Sequence, residues 1–237
     1  QERWGSLWHD FEWDHEAFNA VDYCAERDRK GTFLFEGKTW QDTAGNDYLM
    51  GKDISYYDYH GWWNPREANI GPIKEMKAWG SWIANDINFD GFRLDAVIHV
   101  DDGYISEWIG HVQSTTSQEL FFVGEAWLRN VDEATRYLDE VGRNDFTLFD
   151  IELRKTFDKL RDGTLDMRYL NQKGLVNQPG YGNRAVTFVD SHDTYRDDNK
   201  HGTPMHNRNY QAYCYILMHE KGIPTIYWKD YYEDNKK

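Results

Sequence analysis

Two hydrophobic patterns alternate along the chain after residue 71. In the first, apolar or small residues recur at helical spacing, as in Ile73, Met76, Gly80, Ile83 and Ile87. The second is a short continuous apolar run, which is typical of a buried strand. These runs predict five strands, at residues 88–94, 119–123, 146–149, 184–189 and 223–227. The helical spacing predicts helices from residue 72 onward and at residues 104–114, 131–141, 154–161 and 208–220, with a loop at 171–183.

Short apolar strands joined by helices are typical of a parallel sheet covered on both faces, so we predict an α/β fold. In such folds the chemistry lies just beyond the carboxyl ends of the strands. Residues 1–70 show no sustained period and are rich in Trp, Tyr, Asp and Gly, which indicates a long folded loop region. We therefore predict a loop domain over 1–70 and a β/α domain over 71–237.

The composition narrows the classes of protein to which this chain could belong. The 27 Lys and Arg against 41 Asp and Glu give a net charge of −14, which disfavours nucleic acid as a partner. No apolar run approaches the roughly 18 to 20 residues that span a bilayer, which argues against a membrane partner. Aromatic residues make up 16% of the chain and fit either a large core or a cleft that stacks sugar rings. Only Cys24 and Cys214 occur, and two buried thiols are favoured over one bridge.

Charged side chains follow the first predicted strand. Arg93 and Asp95 are two residues apart, so in extended chain they point to the same side. A guanidinium beside a carboxylate keeps it ionised, as a nucleophile requires. The alternative is a structural ion pair.

A single carboxylate follows the second predicted strand. Glu125 comes after small and apolar residues and precedes Trp127. An apolar setting raises the pKa of a carboxyl group, which suits a general acid. The alternative is a glutamate that stabilises a helix N-terminus.

Three titratable residues, Asp190, His192 and Asp193, crowd the end of the fourth predicted strand. One of the aspartates could cap a helix, but the group exceeds what a cap needs. The ends of the first, second and fourth predicted strands thus carry Asp95, Glu125 and Asp193. Glycoside hydrolysis typically uses two carboxyl groups that flank the scissile bond.

The segments GFRLDAVIH (91–99), FFVGEAW (121–127) and FVDSHDT (188–194) resemble three of the four signature segments of the α-amylase family, glycoside hydrolase family 13. Further segments, such as GNDYLMGKDI, resemble bacterial liquefying-type α-amylases. The resemblance implies a (β/α)₈ barrel that hydrolyses internal α-1,4-glucosidic bonds of starch, glycogen or related α-glucans with retention of configuration.

By the same resemblance, Asp95 is the nucleophile, Glu125 the general acid/base and Asp193 the third carboxylate, which binds substrate hydroxyls and favours the distorted transition state. Four residues are implied or predicted to bind substrate. These are Arg93, which orients the nucleophile, His192, which hydrogen-bonds the transition state, His99, near the leaving-group subsites, and Trp127.

Calcium is the implied cofactor. Asp47 and Asp53 match the family's calcium-binding aspartates, and the backbone carbonyl of His99 is a further implied ligand. Oxygen ligands suit this hard cation. Ser55 replaces an aspartate that helps to bind extra metals in relatives, so we expect one calcium ion. Two further departures are Ile98 in place of a sugar-contacting lysine and Ser191 in place of an asparagine.

The family's first signature segment, D-x-x-x-N-H, does not occur in this sequence. We therefore interpret the chain as the middle of an amylase, with part of an inserted loop domain and about the last five strands of the barrel. We expect a monomer, with secretion slightly favoured over the cytoplasm. Two alternatives stay open, a non-catalytic carbohydrate-binding or scaffold domain and a sister glucanotransferase or malto-oligosaccharide-forming activity.

Overall fold

The computed structural model describes residues 20–34, 72–196, 204–205 and 208–232. The described strands are β1 (Ala20–Cys24), β2 (Arg29–Leu34), β3 (Gly91–Leu94), β4 (Phe121–Gly124), β5 (Phe146–Phe149), β6 (Ala185–Thr187) and β7 (Ile223–Pro224). The α-helices are α1 (Pro72–Trp82), α2 (Asp102–Ser114), α3 (Val131–Val141), α4 (Ile151–Arg161), α5 (Asn209–Met218) and α6 (Trp228–Tyr232). Short 3₁₀ turns include Val97–His99, Leu175–Asn177 and Thr194–Arg196.

Within the predicted loop domain, the described residues form a β-hairpin. Strands β1 and β2 are antiparallel, with Ala20 opposite Leu34 and Cys24 opposite Arg29. Asp28 closes the turn at a left-handed φ of 46°. The sequence did not predict this hairpin, because it shows no clear alternation there.

The chain divides into two compact units. The first runs through Glu125 and includes residues 140–143, so it holds β3, β4, α1 and α2. Strands β3 and β4 are parallel, with Gly91 opposite Phe121 and Leu94 opposite Gly124.

An aromatic cluster forms the core of the first unit. Phe92 stacks on Phe122 with ring centroids 5.8 Å apart, and Trp108 meets Phe92 edge-on at 5.3 Å. The Trp108 Nε1–H also donates to the carbonyl of Met76, at 2.8 Å, which joins α2 to α1. A Cβ at Gly80 would lie 2.6 Å from the Trp108 ring, so glycine is what allows this close approach of the helices.

The second unit holds residues 126–139 and those from 144 onward. Strands β5, β6 and β7 are parallel, with Leu148 opposite Ala185 and Val186 opposite Ile223. Its buried apolar side chains come from the strands and from the inner faces of the helices, and include Phe146, Leu148, Leu153, Phe157, Val186 and Ile216.

The five predicted strands and the helices between them are confirmed. Strand β5 and helix α3 have the predicted bounds, whereas β3, β6 and β7 are shorter than predicted. Strand β3 begins at Gly91 rather than at residue 88, because Asn88 takes a left-handed φ of 63° after a π-helical turn, Ile83–Ile87. Helices α2 and α4 begin earlier than predicted, because Asp101 and Asp150 cap them.

Two other predictions concern the cysteines and the membrane. Both cysteines are free, but Cys214 is exposed and Cys24 half-buried, so the predicted burial is wrong for Cys214. No helix in the described part of the chain has the length and apolar character to cross a membrane.

Candidate active site

The backbones of β3 and β4 stay paired for one step beyond the two strands. The Glu125 N–H donates to the Leu94 carbonyl at 2.9 Å, and the Val97 N–H donates to the Glu125 carbonyl at 3.1 Å. These bonds fix the segments that carry Asp95 and Glu125 side by side. Both carboxylates therefore stand at the carboxyl edge of the parallel pair, where β/α folds place their chemistry.

One guanidinium bridges the two carboxylates. Arg93 places Nη1 2.5 Å from Asp95 Oδ1 and Nη2 2.7 Å from Glu125 Oε2. The Asp95 side chain is 72% exposed, whereas that of Glu125 is only 12% exposed. The pair thus consists of one carboxylate open to solvent and one that is shielded, both held within the span of a single cation.

The surroundings of Glu125 differ in part from the prediction. Its neighbour Ala126 is buried and Glu125 is itself shielded, as expected. The cation of Arg93, however, lies in direct contact with it, so the setting is not purely apolar.

Backbone strain follows Asp95 directly. Ala96 has a φ of 47°, in the left-handed region that costs a non-glycine residue roughly 1–2 kcal/mol. It introduces the 3₁₀ turn Val97–His99, in which the His99 N–H donates to the Ala96 carbonyl at 2.9 Å. Such strain persists only where the surrounding structure holds it in place, and strained residues of this kind cluster at functional sites.

In the second unit, His192 and Asp193 lie in the loop after β6. Their side chains approach to 3.2 Å between Nε2 and Oδ2, with His192 57% exposed and Asp193 20% exposed. Asp193 also donates its backbone N–H to Ser191 Oγ, at 3.3 Å. The structure therefore places both predicted residues in one turn, with the histidine facing solvent.

Asp190 is a buried anchor of that loop. Its Oδ1 accepts hydrogen bonds from Arg154 Nη2 and Thr194 Oγ1, both at 3.1 Å, and its Oδ2 accepts from the Met205 N–H at 3.0 Å. Burial raises the pKa of the Asp190 carboxyl, and the charge of Arg154 opposes that shift. Of the three titratable residues after the fourth predicted strand, which is β6, Asp190 is buried and paired. This burial explains how three titratable residues can lie so close together in the sequence.

Arg154 is the residue that sequence reasoning missed. It lies in α4 between the buried Leu153 and Phe157, and its side chain is only 2% exposed. The available signal was an arginine on the apolar face of a helix, which is buried only when it is paired.

The remaining predicted site residues differ in what the structure describes. Trp127 is half-buried in the second unit. Asp47 and Asp53 lie outside the described residues, so His99 is the one implied calcium ligand within them. Among the described residues, no group of three or more His, Cys, Asp and Glu side chains is arranged to hold a metal ion. Calcium binding stays a prediction.

The fold and the site together define the class of protein. It is a β/α domain with parallel strands, and its two carboxylates at the carboxyl edge of β3 and β4 are candidates for acid–base chemistry. No family model matches the chain. It is 34% identical to an α-amylase from Bacillus licheniformis over 235 residues, covering 96% of this chain and 43% of that protein. It is 32% identical to a cytoplasmic α-amylase from Escherichia coli, over 94% of this chain and 44% of that protein.

The chain is a homologue of the α-amylases of glycoside hydrolase family 13, and it spans about two fifths of the length of these curated relatives. Its fold is similar to that of the cyclomaltodextrin glucanotransferase CldA, with a TM-score of 0.52 and 20% identity over 77% of this chain and 36% of that chain. The described β/α region is therefore part of a (β/α)₈ barrel.

Proposed function

We propose that this chain supplies the catalytic carboxylates of an enzyme that hydrolyses internal α-1,4-glucosidic bonds of starch, glycogen or related α-glucans with retention. The observation that carries the proposal is the Arg93 bridge, because it holds an exposed and a shielded carboxylate together. A retaining mechanism needs two carboxyl groups about 5–5.5 Å apart, one to attack and one to transfer protons.

In the proposed mechanism, Asp95 is the nucleophile and Glu125 the acid/base. The Asp95 carboxylate attacks the anomeric carbon while protonated Glu125 gives its proton to the departing glycosidic oxygen. Glu125 then takes a proton from water, whose oxygen displaces Asp95 from the covalent intermediate. Two inversions at one carbon give net retention. The solvent exposure of Asp95 and the shielding of Glu125 are compatible with these roles.

The other proposed site residues assist these two. Asp193 and His192 bind sugar hydroxyls and stabilise the distorted ring, Arg93 orients Asp95, and Trp127 offers an aromatic face for a glucose ring. Asp47, Asp53 and the His99 carbonyl would hold a calcium ion, which would serve to fix loop structure. Secretion remains a prediction, because one relative is named as cytoplasmic.

The test compares Asp95→Asn with Asp86→Asn in the intact protein that carries this sequence. Asp86 is an exposed aspartate of the same unit, so it controls for the loss of a surface charge. With soluble starch as substrate, we expect Asp86→Asn to release reducing sugar at the wild-type rate. We expect Asp95→Asn to fall by roughly four or more orders of magnitude, as removal of a nucleophile does.

Product analysis decides the reaction type. The first products should carry the α-configuration at the new reducing end by proton NMR, and they should be internal fragments. Starch binding without turnover by the wild-type protein would overturn the proposal, and cyclic or transferred glucans would reassign it to glucanotransfer.

A further inference from the structure

The loop that carries His192 and Asp193 is tied to a buried arginine by a continuous chain of hydrogen bonds. We call Arg154, Asp190, Thr194 and Ser191 the loop anchor. All four lie in the second unit. Arg154 and Thr194 are buried, as is Asp190, whereas Ser191 is half-buried.

Arg154 forms the fixed end of the loop anchor. Its Nη1 donates to Asp158 Oδ1 at 2.7 Å, one turn along α4, and its Nη2 donates to Asp190 Oδ1 at 3.1 Å. A buried charge pair is weak evidence for net stability, because desolvation offsets most of the attraction. Its best-attested use is to specify one arrangement, and here it fixes the start of the loop against a helix.

Thr194 carries the connection back along the loop. Its hydroxyl donates to Asp190 Oδ1 at 3.1 Å and accepts from the Ser191 N–H at 2.8 Å. Ser191 Oγ in turn accepts from the backbone N–H groups of Asp193 and Thr194, both at 3.3 Å. The Thr194 hydroxyl, which donates once and accepts once, is thus the middle of this series of hydrogen bonds, and the Asp193 backbone N–H is at its end.

We infer that the loop anchor positions Asp193, the proposed third carboxylate, for the transition state. This inference rests on the proposed function, and it assigns the four residues as positioning residues, since none of them is proposed to touch the substrate. It also gives Ser191 a role, because its hydroxyl holds the amide of the residue that does touch the substrate. A displacement of about 1 Å in such a group costs up to roughly 100-fold in rate.

The kinetic test uses a matched pair at Thr194, with Thr156→Val as control. Thr194→Val keeps the shape and removes both hydrogen bonds, whereas Thr194→Ser keeps the hydroxyl. Thr156 is also buried, but its hydroxyl bonds only within α4, to the Glu152 carbonyl at 2.9 Å. On starch, we expect Thr194→Val to lose roughly 10- to 100-fold in kcat with KM changed less than about threefold. Thr194→Ser and Thr156→Val should stay within about threefold of wild type.

A second readout does not depend on activity. Hydrogen exchange measured by mass spectrometry should accelerate in residues 191–195 of Thr194→Val, while α4 and β6 keep the wild-type rates. If Thr194→Val does not fold, Ser191→Ala replaces it and should show the same two effects, because it removes the acceptor of the Asp193 amide.

The outcomes separate the two proposals. Equal kcat in Thr194→Val and wild type, or equal losses in Thr194→Val and Thr194→Ser, would overturn the positioning role. A wild-type protein without activity on α-glucans would instead overturn the proposed function. In that case unchanged exchange in residues 191–195 of Thr194→Val would also overturn the loop anchor, whereas local acceleration would support it.

Discussion

At the scale of single residues, the arrangement of the site follows from one arginine on a strand. The spacing of Arg93 and Asp95 predicts their contact, because residues two apart share a face of a strand. The contact with Glu125 could not be predicted, since it depends on the register between β3 and β4. Arg93 stands opposite Val123, so Glu125 lies two residues further along the neighbouring strand and on the same side.

The bridge predicts that Arg93→Lys impairs catalysis. An ammonium is a point charge without the planar fork, so its single nitrogen cannot reproduce the two separate contacts that Nη1 and Nη2 make with Asp95 and Glu125. We expect kcat on starch to fall by roughly 10- to 100-fold, because the two carboxylates lose their common support. Arg168→Lys, which alters an exposed arginine paired with Asp166, is the control and should keep wild-type kcat. Equal rates for the two variants would show that the bridge is structural.

At the scale of elements, periodicity located the strands and helices, but the loops that complete them depend on buried polar groups. Asp150 caps α4 and also accepts the backbone N–H groups of Leu175 and Val176, both at 2.9 Å. The sequence predicted only a loop over 171–183, because nothing in its pattern shows which carboxylate its amides will meet. A buried aspartate between β5 and α4 therefore orders a segment some 25 residues away.

The fit of this loop predicts the effect of a substitution at Gly174. Gly174 has a φ of 81°, and a Cβ there would lie 2.7 Å from both Asp150 Oδ2 and Leu153 Cβ. Gly180, with a φ of 84° and no atom within 4 Å of its ideal Cβ, is the matched control. Gly180→Ala should lower the free energy of unfolding by about 1–2 kcal/mol through φ alone. Gly174→Ala should lower it by about 1–3 kcal/mol more, because the methyl group collides with the loop's support.

Urea unfolding followed by circular dichroism measures both variants. Equal losses would contradict this prediction, because only Gly174 has atoms close to the added methyl group and its ψ of 167° lies in a region open essentially only to glycine.

At the scale of the whole molecule, two effects make stability depend on pH in the same direction. The net charge of −14 disfavours the compact state through self-repulsion at neutral pH. Burial raises the pKa values of Asp150 and Asp190 above the ordinary 3.8, although Arg154 and backbone N–H groups oppose the shift. The native state therefore binds protons that the unfolded chain releases, and its stability falls as pH rises from 3.8 through the folded pKa values.

Stability should accordingly decline as pH rises above 3.8 through the raised pKa values of Asp150 and Asp190, the reverse of the usual acid denaturation by paired surface carboxylates. Two groups work in the opposite direction, because Arg168 lowers the pKa of Asp166 and burial lowers that of His111. The pair of Asp166 and Arg168 is exposed, so its effect is small. Salt separates the two causes, since about 1 M salt shortens the screening length to about 3 Å and suppresses repulsion between surface charges. Urea unfolding across this pH range, at low and high salt, should show a decline that salt reduces without removing. Stability that rises with pH at high salt would contradict the dominant effect assigned here to the burial of Asp150 and Asp190.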